Sequence, residues 1–122
     1  MAFKYVNLNP LSLEEEDCVI RAISLASGYS YAEIQDKLYY LSQLLECDPL
    51  CIGCYQHLLD DIFKYDRVGA RGLTVQEITD LYRDEILLIR IEGHLTCSVY
   101  GEINDIWDCA DYPADIVWIV DR

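Results

Sequence analysis

The sequence lacks any hydrophobic run long enough to cross a membrane, although 52% of its 122 residues are apolar. Stretches such as Ile86–Ile89 have the length of a strand, whereas a membrane-spanning helix needs roughly 20 apolar residues. The N-terminus also lacks the basic and apolar segments of a secretory signal peptide. These absences predict a protein of the cytoplasm without a membrane partner.

Cationic residues are scarce as well. Nine lysines and arginines stand against 22 aspartates and glutamates, which gives a net charge of −13. Binding to the phosphates of nucleic acid requires clustered lysine and arginine, so we expect no nucleic-acid partner. A chain of 122 residues can bury one core, and we expect a single domain over residues 1–122.

Helical spacing of apolar residues dominates the first two thirds of the chain. Four helices are predicted: the first from the N-cap Asp17 to Gly28, the second from Ser30, the third over 51–65 and a short fourth after Thr74. Serine, threonine and aspartate are preferred N-caps because their side chains accept hydrogen bonds from the first free N–H groups of a helix.

Strand-like spacing replaces the helical pattern after Glu85. Strands are predicted over 86–91, 95–100, 102–107 and 116–120, with Gly101 in the tight turn between the second and the third. Helices followed by an antiparallel sheet of about four strands define an α+β protein, whose N-terminal helical half packs on the C-terminal sheet.

Cys18 and His94 are the residues that point most directly to chemistry. Cys18 lies in the first turn of the first predicted helix, where unpaired N–H groups and the helix dipole stabilise a thiolate. A nearby imidazolium stabilises it further. His94, one of only two histidines, opens a predicted strand directly after Gly93. The pair predicts a cysteine nucleophile with a histidine base.

A carboxylate completes such a site by orienting the imidazole. If the hairpin turn is centred on Gly101, His94 lies opposite Asp108, which we prefer as the third member. A shift of register by one residue, or a bulge, would substitute Asp105. The candidate donors of an oxyanion hole are the backbone N–H of Cys18 and the side-chain amide of Asn9 or Asn7, with Ser12 as a weaker candidate.

Several segments of the chain resemble a family of small phage and prophage proteins. The resemblance rests on Asn9-Pro10 with Asp17–Ile23, on Gly93–Thr96 and on Asp105–Cys109. Members of that family carry an NP…DCVIRAI opening, a GHLT strand and a DxWD turn. They are generally regarded as papain-like cysteine peptidase-type domains, mostly of unassigned substrate.

The resemblance implies a papain-like fold and assigns roles to four residues. Cys18 would be the nucleophile, His94 the base, and Asp108 or Asp105 the orienting acid. We therefore expect a cysteine hydrolase that acts on a peptide, isopeptide or side-chain amide bond. Its substrate would be a protein or peptide, possibly a host protein in the host cytoplasm, and the chemistry requires no cofactor.

A binding protein is the alternative. Glu16 stands beside the Asp17-Cys18 pair, where the family usually has glycine, and the chain is strongly acidic. Both features fit a catalytically inactive phage accessory protein that binds and inhibits a host protein.

A second group of cysteines is a candidate metal or redox site. Cys47, Cys51, Cys54 and His57 form a C-x3-C-x2-C-x2-H pattern with ligand types that suit zinc. The Cys51–Cys54 pair also has the spacing of a redox dithiol, without the preceding strand that such motifs follow. Three cysteines at this spacing are equally typical of an ordinary helix. We expect free thiols here and no bound metal.

Overall fold

The computed structural model describes residues 3–13 and 16–121. It contains four α-helices and six strands: β1 Phe3–Tyr5, α1 Cys18–Ser27, α2 Tyr31–Leu45, α3 Ile52–His57, β2 Asp66–Val68, α4 Val75–Leu81, β3 Ile86–Ile91, β4 His94–Val99, β5 Glu102–Asp105 and β6 Ile116–Val120. The predicted α+β class is confirmed. None of the helices in these two ranges has the length and apolar character that a membrane crossing requires.

The helices begin and end close to the predicted residues. Ser30 and Thr74 each form a capping box. The side chain of the cap accepts a hydrogen bond from the backbone N–H three residues later, and the glutamate at that later position accepts one from the backbone N–H of the cap. α1 ends at Gly28 in the left-handed conformation that glycine favours. The third helix is shorter than the predicted 51–65, because a wider π-type turn over Leu58–Ile62 follows it.

The strands form one six-stranded sheet in the order β1-β5-β4-β3-β6-β2. The four predicted strands are β3, β4, β5 and β6, and all pairs between them are antiparallel. The sheet is larger than predicted because two strands of three residues extend its edges. β1 pairs in parallel with β5, and β2 pairs antiparallel with β6. Three residues are too few to show a strand periodicity in the sequence.

Helices cover both faces of the sheet. α1, α2 and α3 pack against the face that carries Leu88, Leu95 and Trp118. α4 packs on the opposite face, against alternate residues such as Leu87 and Ile89. Consecutive residues of a strand point to opposite faces, so β3, which is buried on both, has an almost unbroken apolar sequence.

The turn between β4 and β5 sets the position of the candidate site. Val99 pairs with Glu102 and Cys97 pairs with Asn104, so the turn consists of Tyr100 and Gly101 alone. Both turn residues have positive φ, at 49° and 85°, which is the conformation of a two-residue type I′ hairpin. The predicted register, centred on Gly101, is therefore wrong by one residue.

Tyr100 occupies a turn position that asparagine suits better. An L-residue with a Cβ is strained in the left-handed region, whereas asparagine visits it readily, and Tyr100 is 66% exposed. We expect Tyr100→Asn to raise the free energy of unfolding by about 0.5–1 kcal/mol. Tyr100→Val, with a β-branched side chain at the same position, is expected to lower it. Urea unfolding of both variants measures the change in the free energy of unfolding. An equal decrease in both variants would contradict the proposed strain at Tyr100.

Candidate active site

Cys18 is the first residue of α1, as the sequence predicts. Its thiol is only partly exposed and lies at the start of β4, where the His94 imidazole and the backbone of Leu95 lower its pKa. The N–H groups of the first helical turn have no acceptor within the helix. The helix start thus provides the positive electrostatic environment expected for a thiolate.

His94 connects the thiol to a carboxylate. Its Nε2 lies 2.7 Å from Oδ2 of Asp105, and both side chains are at least nine-tenths buried. Because Nε2 is held by Asp105, Nδ1 is the ring nitrogen that can exchange a proton with Cys18. The same Oδ2 accepts a hydrogen bond from the Thr96 hydroxyl at 2.6 Å, and Oδ1 accepts one from the Ile106 N–H at 2.7 Å.

The proton distribution favours a thiolate–imidazolium pair. Burial raises the pKa of Cys18, but its hydrogen bonds to His94 and Leu95 and the charges of His94 and Arg21 lower it below the usual thiol value. Burial lowers the pKa of His94, but its hydrogen bonds with Asp105, Cys109 and Cys18 raise it to about 11. The two shifts act in the same direction: they favour the proton on the imidazole and the negative charge on the sulfur.

Asp108, the preferred third member from the sequence, lies elsewhere. It is exposed, and its Oδ1 accepts a hydrogen bond from the Ala110 N–H within its own loop. Asp105 takes the position beside His94, because the two-residue turn shifts the register of β5 by one. Asp105 is the alternative that the sequence offers for a register shifted by one residue, and it is the carboxylate that lies beside His94 in the structure.

Asn9 does not lie where an oxyanion donor would. Its amide nitrogen donates to Oδ2 of Asp17 at 3.0 Å, and its Oδ1 accepts from the Leu11 N–H at 2.9 Å. Asn9 is buried and is not among the residues that line the cleft in front of Cys18. Its side chain attaches the N-terminal segment to the start of α1, which corrects the predicted role.

Asp17 also differs from its predicted role as a capping side chain. It stands at the N-cap position, but its side chain accepts no hydrogen bond from the backbone N–H groups that begin the helix. Its carboxylate instead accepts from Arg21, from Asn9 and from the Tyr31 hydroxyl. Burial raises its pKa, but these hydrogen bonds lower it below the usual value, so the group remains ionised inside the protein.

Arg21 is a component of the site that sequence reasoning missed. It is buried, with 6% of its surface exposed, and its guanidinium bridges Asp17 at 2.5 Å and Asp105 at 3.3 Å. The signal in the sequence is a single arginine inside an otherwise apolar helix, four residues after an aspartate. This bridge holds the carboxylate that in turn orients His94.

Trp107 and Cys109 complete the surroundings of His94. The Trp107 ring lies 4.9 Å from the imidazole, centroid to centroid, and shields it from solvent. Cys109 is fully buried on the same imidazole, and ligand atoms of His94, Asp105 and Cys109 lie within 4.8 Å of one another. Those three residue types are common metal ligands, but Arg21 beside Asp105 opposes a cation at that position.

An open cleft with a volume of about 600 Å³ lies in front of Cys18 and His94. Leu50 and Ile52, from the segment that enters α3, form an apolar wall, and Trp107 belongs to the lining as well. Glu16 and Asp48 add exposed carboxylates to it. The thiol and the imidazole are therefore accessible to a ligand of peptide size.

The second cysteine group brings its three thiols together but not its histidine. Cys47 interacts with both Cys51 and Cys54, whereas His57 pairs with Asp61 at 2.8 Å. Within the part of the chain that the structure describes, the ligand atoms that lie within 4.8 Å of one another are those of His94, Asp105 and Cys109. All six cysteines are free thiols.

Taken together, the site contains a thiol at a helix N-terminus, an imidazole that holds its proton, a buried carboxylate behind the imidazole and a cleft in front of the sulfur. Such a set can carry a nucleophile and return a proton to a leaving group. No protein-family model, curated protein or solved structure matches this chain.

Proposed function

We propose that this protein is a papain-like cysteine hydrolase that cleaves a peptide, isopeptide or side-chain amide bond. One observation carries the proposal: Cys18 at the start of α1 lines the same cleft as His94, which lowers the pKa of the thiol, and Nε2 of His94 lies 2.7 Å from buried Asp105. The chain order cysteine, histidine, aspartate and the resemblance to small phage proteins support the papain-like assignment. A protein or peptide substrate would occupy the cleft.

The proposed reaction begins with the Cys18 thiolate attacking the carbonyl carbon of the amide. The N–H groups at the start of α1 stabilise the negative oxygen of the tetrahedral intermediate. The His94 imidazolium then donates its proton to the departing amine nitrogen, the C–N bond breaks, and a thioester on Cys18 remains.

Hydrolysis of the thioester returns the site to its initial state. Neutral His94 takes a proton from a water molecule, the resulting hydroxide attacks the thioester carbonyl, and the Cys18 thiolate leaves as the C–S bond breaks. Asp105 retains its charge throughout and stabilises the imidazolium each time that it forms. The products are a carboxylic acid and an amine.

The direct test is competitive labelling of the six thiols with iodoacetamide at pH 6, read by mass spectrometry. We expect Cys18 to react at least roughly ten times faster than Cys47 or Cys51, because its pKa is lowered while burial raises that of Cys47. The alkylation rate of Cys18 should persist as the pH falls toward the lowered pKa of this thiol in the folded protein. An ordinary thiol, in contrast, loses reactivity below its pKa near 9.

Denaturation provides the control, since unfolding should make the six rates similar. A Cys18 rate equal to those of Cys47 and Cys51 in the folded protein would disprove the catalytic proposal. That result would favour the alternative function, a catalytically inactive acidic protein that binds a host protein.

A further inference from the structure

The charges that line the cleft are not balanced. Two arginines belong to the lining, Arg21 and Arg90, and each is already paired. Arg21 is buried between Asp17 and Asp105. The guanidinium of Arg90 donates a hydrogen bond to Asp115, and it also interacts with buried Tyr55.

The imidazolium of His94 is paired as well. It lies between the Cys18 thiolate on one side and the carboxylate of Asp105 on the other. Each cation of the cleft therefore has at least one anionic partner within the protein, and no cation remains to receive an anionic ligand.

Glu16 and Asp48 are in the opposite situation. Both line the cleft and are exposed, and neither forms an ion pair with any cation in residues 3–13 and 16–121. Glu16 comes two residues before the nucleophile in the chain, and Asp48 lies in the segment between α2 and α3. The Asp48 carboxylate accepts the Leu50 N–H at 2.8 Å, which holds it in the loop that forms the apolar wall.

We propose that the cleft selects a polypeptide segment that carries a lysine or arginine side chain, bound by the carboxylates of Glu16 and Asp48. This inference rests on the proposed function and adds the chemical class of its substrate. The aliphatic stem of such a side chain packs against apolar surface while its charged end reaches a carboxylate, which matches the combination of Leu50 and Ile52 with Asp48. The net charge of −13 attracts a cationic segment at longer range.

Charged thiol reagents test this selection at Cys18 itself. Methanethiosulfonates with a trimethylammonium, a sulfonate or an uncharged methyl group all react in the same way: the thiolate attacks the sulfenyl sulfur, a disulfide forms and methanesulfinate leaves. The measured quantity is the ratio of the trimethylammonium rate to the sulfonate rate at Cys18. The ratio is taken within each variant, so that a change in the nucleophilicity of Cys18 cancels.

Glu16→Gln and Asp48→Asn remove one negative charge each with little change of shape. We expect each substitution to lower the ratio roughly two- to five-fold, the double substitution to lower it further, and added salt to weaken the difference. Asp84→Asn is the matched control. It removes an exposed carboxylate close to the Val99 end of the hairpin, away from His94, and should leave the ratio unchanged.

Failure of this inference is distinguishable from failure of the proposed function. If the uncharged reagent reacts faster at Cys18 than at the other thiols, but the ratio of Glu16→Gln and Asp48→Asn equals that of Asp84→Asn, the substrate class is wrong and the hydrolase proposal stands. If the uncharged reagent shows no preference for Cys18, the proposed function fails.

Discussion

His94→Ala is expected to slow the alkylation of Cys18 by iodoacetamide at pH 6 about 100-fold. The substitution removes the hydrogen bond and the positive charge that lower the pKa of Cys18. Burial, which raises that pKa, remains. The thiol of the variant is then almost entirely protonated at pH 6, and the protonated form is not the nucleophile.

The pH profile separates this effect from a general loss of structure. In His94→Ala the alkylation rate of Cys18 should recover as the pH rises, because Cys18 then ionises like an ordinary thiol. The difference in this rate between the variant and the unaltered protein should therefore shrink above pH 9. In the unaltered protein the pair persists until His94 loses its proton, near its raised pKa of about 11.

His57→Ala is the matched control for this experiment. It removes the only other histidine, which is partly exposed and pairs with Asp61. The Cys18 rate should be unchanged in that variant. An unchanged rate in His94→Ala as well would show that His94 does not activate the thiol.

Arg21→Met is expected to lower the free energy of unfolding by about 3–5 kcal/mol at pH 7. Methionine fills much of the volume of the arginine side chain but leaves Asp17 and Asp105, both buried, without their shared cation. A buried ion pair that loses one partner costs far more than an exposed pair does, because the remaining charge cannot be solvated. Chemical denaturation at fixed pH measures the loss.

The loss should depend on pH in a defined direction. The pKa values of Asp17 and Asp105 are lowered in the folded protein, so their contribution to stability is present above the unfolded value near 4 and is lost as the pH falls through the folded values. Without the guanidinium both pKa values rise and the carboxylates take up protons more readily. The difference between Arg21→Met and the unaltered protein should therefore narrow as the pH falls from 7 to 4.

Arg67→Met is the control for a surface arginine. Its guanidinium pairs with Asp60 but is 43% exposed, so the expected cost is about 1 kcal/mol or less. Arg21→Lys, which retains the charge without the planar guanidinium, should lose less than Arg21→Met. Equal losses in Arg21→Met and Arg67→Met would contradict the assigned role of the buried bridge.

The sequence was informative where structure depends on neighbouring residues. Ser30 and Thr74 identify helix starts because an N-cap acts on the N–H groups of the next three residues. β3 is recognisable because a strand buried on both faces is apolar throughout. The positions of Cys18 and His94 at the starts of α1 and β4 follow from the same local signals.

The sequence was less informative where distant segments meet. A one-residue difference in the hairpin decides between Asp108 and Asp105, and it depends on Tyr100 adopting a conformation that tyrosine rarely takes. In the network of Asp17, Arg21 and Asp105, the first two residues are close in the chain, whereas Arg21 and Asp105 are 84 positions apart. No local pattern signals that an arginine in an apolar helix will face two carboxylates.

By itself, the sequence determined the α+β class, the order of the helices and of the four long strands, and the pairing of Cys18 with His94 as the candidate chemistry. Only the tertiary structure decided that Asp105 is the carboxylate behind His94, that Asn9 secures Asp17, and that Glu16 and Asp48 line one cleft with the thiol. The physical reason is that propensity and periodicity act over a few residues. Register and the burial of charge depend on which segments pack together.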